Sequence, residues 1–219
     1  MDIVIYGKGD FAKLILHYFN TDSDKKVCAF CVDKKFKDAD TFCELPLIDI
    51  DEISNFFPSS HYSAFVAVGY SCMRTRFKMF EKIKSKGYKT VNYISSKALV
   101  DSSVEVGENN VILPGSIVEP FTTIGDNNIL WSSVNICHDV VIRSHSFFAT
   151  QSLVGGFSKI DDGCFIGFNS TIIHNISIGK ESLIGSKSLI LKDTDEYSKY
   201  IGVPAKKVGD HRKEGNFIK

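Results

Sequence analysis

The sequence predicts two architectures in one chain: an α/β, Rossmann-like N-terminal domain over residues 1–93, then an all-β left-handed parallel β-helix of hexapeptide repeats over 94–192. Three observations predict it. Up to residue 93, short runs rich in β-branched residues alternate with amphipathic stretches, the pattern of a parallel sheet covered by helices. From Ile94 the period changes, and every sixth residue through Ile190 is apolar. Four positions after most of these stands a small residue, as at Ser116, Thr122, Ser152, Ser158, Ser170, Ser182 and Ser188, and glycine often follows the aliphatic one directly. No ordinary helix or hairpin sheet yields a period of six; three such hexads make one triangular coil that buries its apolar edge on the next.

In the first domain the pattern predicts strands over 3–6, 27–32, 64–68 and 90–93, and helices over 12–19 and about 74–86. The turn Gly7-Lys8-Gly9-Asp10-Phe11-Ala12 is a degenerate dinucleotide fingerprint, and glycines between a strand and a helix N-terminus suit a phosphate. Asp33, closing the second strand, is placed to contact a base or ribose; a solvated strand end is the competing reading, as an ordinary helix-surface cation is for Arg74. The hexad pattern stops at Asp193, so 193–219 is predicted to be a tail of different composition.

The 219 residues suffice for two modest domains, and 43% hydrophobic residues can supply a core for each. Basic and acidic residues balance at 26 each, so overall charge draws the protein neither to nucleic acid nor to an anionic membrane. The chain opens directly on a strand pattern and carries no apolar run of membrane-spanning length, which predicts a cytoplasmic protein without a membrane partner. Of the six cysteines only Cys28 and Cys31 have a metal-like spacing, and inside a strand they face opposite ways; buried thiols in a reducing compartment are predicted.

With about eighteen residues per coil, stacking places His138 over Gly156 and Gly156 over His174. This column suits acyl transfer. An imidazole can take the proton of an attacking amine or hydroxyl, Asp139 can fix its tautomer, and the Gly156 amide can meet the developing oxyanion. The competing reading has His138 as an exposed corner residue and Gly156 as a turn.

The chain resembles the hexapeptide-repeat sugar acyltransferases of the sialic-acid O-acetyltransferase and bacillosamine N-acetyltransferase type. The likeness covers almost the whole chain and is carried by the Gly7-Lys8-Gly9 turn, Val32-Asp33, Gly69 with Arg74, His138-Asp139, Gly155-Gly156 and the terminal Gly202-Val203-Pro204-Ala205-Lys206-Lys207. The resemblance implies His138 as general base, Asp139 as its orienting acid and Gly156 as oxyanion donor. It implies acetyl-CoA as co-substrate in a groove between subunits of a homotrimer, along Phe168, Ser186, Gly202, Pro204, Ala205 and Lys206. It further implies a nucleotide-linked amino sugar, on a UDP or dTDP carrier, held by Gly7, Gly9, Asp10, Asp33, Gly69 and Arg74, for surface glycan or lipopolysaccharide biosynthesis; no metal is implied.

The chain departs from that pattern in two places. Many relatives have Gly-His where Asp10-Phe11 stands here, and many carry a second histidine at the place of Phe147; His145, the nearest imidazole, is predicted to be exposed. Trimerisation is also predicted because Phe147, Phe148, Phe157 and Phe168 on a bare solenoid face would expose aromatic area. Cys137 is predicted to turn away from His138 by strand alternation. Three alternatives stay open: a hydroxyl acceptor, a non-catalytic nucleotide-sugar-binding trimer, and a zinc-dependent hydratase using His138 and His174, which would need a further histidine where Gly179 stands.

Overall fold

Ile3, Val4, Ile5 and Tyr6, all buried, form most of strand β1 (Asp2–Tyr6), which pairs in parallel with both β2 (Val27–Val32) and β5 (Tyr62–Val66). The computed structural model describes residues 1–69 and 71–216, and the chain divides into two units, 1–69 with 75–93 and 70–74 with 94–219. In the first unit β4 (Leu45–Asp49) adds to β2 in parallel and β3 (Thr41–Phe42) adds antiparallel, giving the order β3-β4-β2-β1-β5. Helices α1 (Asp10–Thr21) and α2 (Ile53–Phe56), with α3 (Met73–Ser85) from Thr75 onward, complete this Rossmann-like unit. The hairpin and α2 are absent from the sequence reading, since a two-residue first strand, a proline inside the second and a one-turn helix leave too weak a period to detect. Of the predicted strand over 90–93, Thr90 makes one bridge to Ala64, through the Lys89 carbonyl and the Val91 amide, and Tyr93 begins the short strand Tyr93–Ile94.

Cys31 is fully buried and Cys28 is not, as alternation requires; burial pushes the Cys31 thiol well above its ordinary range. A polar network closes the carboxyl end of this sheet. The Tyr6 hydroxyl donates to Asp33 Oδ2 at 2.8 Å, and Lys82 donates to Asp33 Oδ1 at 2.6 Å. Asp51 extends the network through Lys82 at 3.4 Å and Lys86 at 3.1 Å. Burial alone would raise the Asp33 carboxyl, but the Lys82 and Tyr6 hydrogen bonds outweigh it and hold Asp33 below its usual value.

The second unit is a left-handed β-helix whose coils stack with an eighteen-residue register, as in Ile117–Asn135–Leu153–Thr171 on one face. Two-residue parallel strands build three faces, and the inward positions Ile112, Val118, Ile124, Leu130, Ile136, Ile142, Phe148, Val154 and onward to Ile190 form one continuous core. The small residues at the corners have a specific task. Ser116, Thr122 and Ser158 hydroxyls donate to the Trp131, Cys137 and Ile173 carbonyls of the following coil, which satisfies polar backbone groups at the bends.

The aromatic residues divide differently from the expected exposed set. Phe148 is in the core and Phe147, on the outward side of its strand, is also buried, stacked on Phe165 at 5.5 Å with the rings 4° apart. Only Phe157 and Phe168 of the four are exposed. A strict six-residue period identifies the inward position, whereas the fate of the outward neighbour depends on what packs outside the coil.

The strand Ser198–Gly202 pairs in parallel with Leu183–Ile184 and in a hairpin with Ala205–Asp210, so the tail predicted over 193–219, of which 217–219 lie outside the described residues, extends one face of the β-helix. Among the described residues no helix is long and apolar enough to cross a membrane.

Phe148→Ala should cost about 3–5 kcal/mol, the usual loss for a core phenylalanine, read from urea unfolding; a cost below about 1 kcal/mol would contradict the continuous core. For Asp33, a carboxyl depressed in the folded state adds stability above its unfolded value, about pH 4, and that stability is lost as the pH falls through the folded value. Urea midpoints at pH 5, 4, 3 and 2 should therefore fall more steeply for the wild type than for Asp33→Asn, with parallel curves counting against the network.

Candidate active site

The strand Asn135–Ile136 ends at a corner where Cys137, His138 and Asp139 turn the chain. Asp139 adopts a left-handed conformation, φ 58°, one of few that a short polar side chain tolerates, and its amide donates to the Pro120 carbonyl one coil away. The His138 amide donates to Glu119 Oε2 at 2.9 Å. Two carboxylates thus grip this segment, because Asp139 Oδ2 also lies 2.9 Å from His138 Nδ1. A carboxylate only accepts, so Nδ1 carries a proton, and in the neutral ring the lone pair is then on Nε2.

That lone pair is over Gly156. A Cβ built on Gly156 would stand 3.0 Å from His138 Cε1 and 3.1 Å from Nε2, so glycine is what allows the imidazole to lie there. Gly155 is glycine for another reason: its Cβ would meet the His174 amide nitrogen at 2.5 Å. The corner is open, with the His138 side chain 49% and Asp139 39% exposed. Phe157 packs edge-on to the imidazole, centroids 5.0 Å apart at 86°. His174, next in the column, is exposed.

Cys137, next to His138, is half-buried. Burial and the Glu119 charge raise its thiol above the ordinary value, partly opposed by the Gly156 N–H that faces the sulfur. The thiol is therefore protonated at neutral pH and a poor nucleophile, and sulfur is a weak acceptor that leaves the amide easily displaced. Glu119 escaped the sequence reading; it stands one coil above Cys137, and the eighteen-residue register is the signal that finds it.

His145 differs from its expected exposure. It is half-buried at the next corner along the coil, where its Nδ1 lies 2.9 Å from Asn127 Nδ2 and continues a ladder from Asn109. Among the described residues no group of three or more His, Cys, Asp or Glu side chains is placed to hold a metal ion.

In the first unit the sheet order reverses between β1 and β5, and a crevice at such a switch point is where open α/β sheets bind ligands. Gly7 follows β1 with φ 135° and approaches Ala67 beyond β5 so closely that a Cβ would be 2.5 Å from its carbonyl oxygen. Gly9 precedes α1 with nothing within 4 Å of its Cβ position, and Gly69 meets only Phe11, at 3.9 Å. These three glycines stand in the segments that follow β1 and β5.

The other three predicted ligand residues have these partners within the chain. Asp33 is committed to Tyr6 and Lys82. Asp10 is exposed and approaches Lys13 at 3.7 Å. Arg74 gives its Nε to Glu181 at 2.8 Å, its Nη2 to the Arg212 carbonyl at 2.8 Å and its Nη1 to that of Lys213 at 3.1 Å, all within the second unit. A guanidinium so occupied clamps the C-terminal segment onto the β-helix.

Phe168 and Ser186 are exposed one coil apart on the corner that precedes the His138 face. The hairpin turn meets this corner, since the Gly202 amide donates to Ser188 Oγ at 3.1 Å. Gly202 has φ 110°, and Pro204 and Lys206 are exposed beside it with Ala205 half-buried.

Comparisons with known proteins agree with this build. The family of the PglD N-terminal domain matches residues 2–83, and that of the bacterial transferase hexapeptide, six repeats, matches residues 103–138. The structure of PerB from Caulobacter crescentus in complex with CoA and GDP-perosamine is 25% identical, covers 95% of this chain and 98% of its own, and has a TM-score of 0.85. The acetyltransferase domain of PglB from Neisseria gonorrhoeae in complex with acetyl coenzyme A shares the fold at 17% identity, covering 94% of this chain and 98% of that one, with a TM-score of 0.83. An acyl-[acyl-carrier-protein]–UDP-N-acetylglucosamine O-acyltransferase from Helicobacter pylori is 34% identical over 103 residues, 44% of this chain and 38% of that protein. The chain thus spans well under half the length of the curated relatives it matches. A PglD-type N-terminal domain at residues 2–83 and transferase hexapeptide coils at 103–138 thus stand in one chain whose fold is that of these acetyltransferases.

Proposed function

We propose that the protein transfers the acetyl group of acetyl-CoA to the amine of a nucleotide-linked amino sugar, a 6-deoxyhexose on a nucleoside diphosphate such as UDP or dTDP. The observation that carries this reading is the His138 imidazole, tautomer set by Asp139, lying over the side-chain-free Gly156. PerB, whose structure holds CoA and GDP-perosamine, supports the substrate class. The crevice at the switch point, with Gly7, Gly9 and Gly69, is the proposed nucleotide-sugar site; Asp33 and Arg74 serve the structure around their sites.

In the proposed reaction the neutral amine attacks the thioester carbonyl, and His138 Nε2 takes the proton that the nitrogen sheds as its bond to carbon forms. The Gly156 N–H, released by the Cys137 sulfur, meets the oxyanion. As the C–S bond breaks, the imidazolium returns its proton to the departing sulfur, giving free CoA thiol. No acyl-enzyme is formed, in keeping with the raised Cys137 thiol.

The active form is proposed to be a homotrimer. In one chain the base stands at one edge of a β-helix face, while Phe168, Ser186 and the Gly202–Lys206 turn stand at its other edge. Packing the first edge of one subunit against the second edge of the next joins base and thioester, and covers Leu99 and Ile117, which this face exposes. The acetyl-CoA supply puts the reaction in the cytoplasm.

The test mixes purified protein with acetyl-CoA and a panel of nucleotide-linked amino sugars and follows free thiol. Release should depend on one amino sugar. His138→Ala should lower kcat by about 10²–10⁴ with the trimer intact, and Cys137→Ala should leave turnover nearly unchanged. Release with a hydroxyl sugar alone would mean O-acetylation; no release, with nucleotide sugar still bound, would mean a binding protein. A stable, active monomer in sedimentation would remove the shared groove.

A further inference from the structure

The coil register gives one column of side chains a particular set of neighbours. Residues 119, 137 and 155 stack eighteen apart, and each faces the backbone amide nineteen residues on. Glu119 Oε2 accepts the His138 N–H at 2.9 Å. The Cys137 sulfur faces the Gly156 N–H. A Cβ on Gly155 would stand 2.5 Å from the His174 nitrogen. Coil by coil, the column therefore presents a carboxylate, a thiol and no side chain. The strong acceptor lies at the amide of the proposed base, and the weak one lies at the amide proposed to meet the oxyanion.

We propose that Glu119 is a positioning residue for the transfer: its carboxylate fixes the backbone of the base and, from one coil above Cys137, leaves the Gly156 amide available to the oxyanion. This rests on the acetyltransferase reading above and deepens it. The Glu119 amide donates to the Ile136 carbonyl at 2.9 Å, and the neighbouring Pro120 carbonyl accepts the Asp139 amide at 3.1 Å. Residues 119 and 120 thus hold both members of the His138–Asp139 pair by their backbones, while the bond to Asp139 orients the ring. The second task is electrostatic. A thiolate at Cys137 would hold the Gly156 N–H in a charge-assisted bond and compete with the oxyanion for it. Burial first, and then the Glu119 charge, raise the Cys137 thiol above its ordinary value, because one negative charge disfavours a second beside it. The sulfur stays protonated, and the amide can change partners.

The test compares wild type with Glu119→Gln, Glu119→Ala and the double variant Glu119→Gln/Cys137→Ala. Glutamine keeps an acceptor for the His138 amide and removes the charge; alanine removes both. NMR of protein carrying isotope-labelled histidine follows the His138 backbone amide. Peptide mass spectrometry follows the rate of Cys137 alkylation by iodoacetamide, with the exposed Cys43 as internal control. Transfer from acetyl-CoA to the nucleotide-linked amino sugar gives kcat and KM from pH 7 to pH 9. Glu119→Ala should displace the His138 amide resonance and lower kcat about tenfold to a hundredfold, with the KM for acetyl-CoA unchanged. Glu119→Gln should recover most of that kcat at pH 7 and speed alkylation of Cys137 severalfold but not of Cys43. Its activity should then fall as the pH rises toward 9, and the double variant should abolish that fall. An unmoved His138 amide in Glu119→Ala would overturn the proposal, as would an unchanged alkylation rate or an alkaline loss that persists without Cys137. Wild type without transfer to any amine would instead sink the acetyltransferase reading, and the role of Glu119 in transfer with it, whatever the amide and the thiol show.

Discussion

Everything in the second unit depends on one register: each coil donates its backbone amides to the carbonyls of the coil eighteen residues away, while one aliphatic residue per hexad fills the space inside. Parallel two-residue strands are too short to be stable alone, so each coil is held by its neighbours, and a change of even one residue in spacing would turn an apolar position outward. The same rigidity makes the corners useful. A side chain at a corner keeps a fixed neighbour above and below, and His138 over Gly156 is one instance, the Asn109–Asn127–His145 ladder another.

The candidate site combines that rigidity with openness. His138 is half exposed, yet its ring is fixed by Asp139 on one side and Phe157 on another, and its backbone is fixed by Glu119. Such an imidazole is preorganised at little cost in mobility, because the groups that hold it belong to the coil ladder already. Openness leaves the ring accessible from outside the corner.

Much of this was legible in the sequence. The six-residue period located the inward side chains of the coils, and the eighteen-residue column brought His138 to Gly156. Legibility failed where a residue's task depends on partners distant in sequence. Asp33 reads as a free strand-end carboxylate until Tyr6 and Lys82 close on it, and Arg74 reads as a surface cation until Glu181 and two carbonyls of the C-terminal segment take up its donors. Phe147 likewise occupies an outward position that periodicity alone assigns to solvent, and it is buried.

Sequence by itself determined the architecture, because a period is a local property: each hexad repeats the same demand for one aliphatic and one small residue, and the sum admits one solution. It also determined the pairing of His138 and Gly156, since a constant coil length converts sequence distance into contact. Tertiary structure alone decided which charged groups are free to meet a ligand and which are spent on the fold, and which aromatic rings remain at the surface beside His138. Those outcomes turn on hydrogen-bond geometry and burial between residues with no fixed spacing, such as Arg74 and Glu181, and no pattern along the chain encodes them.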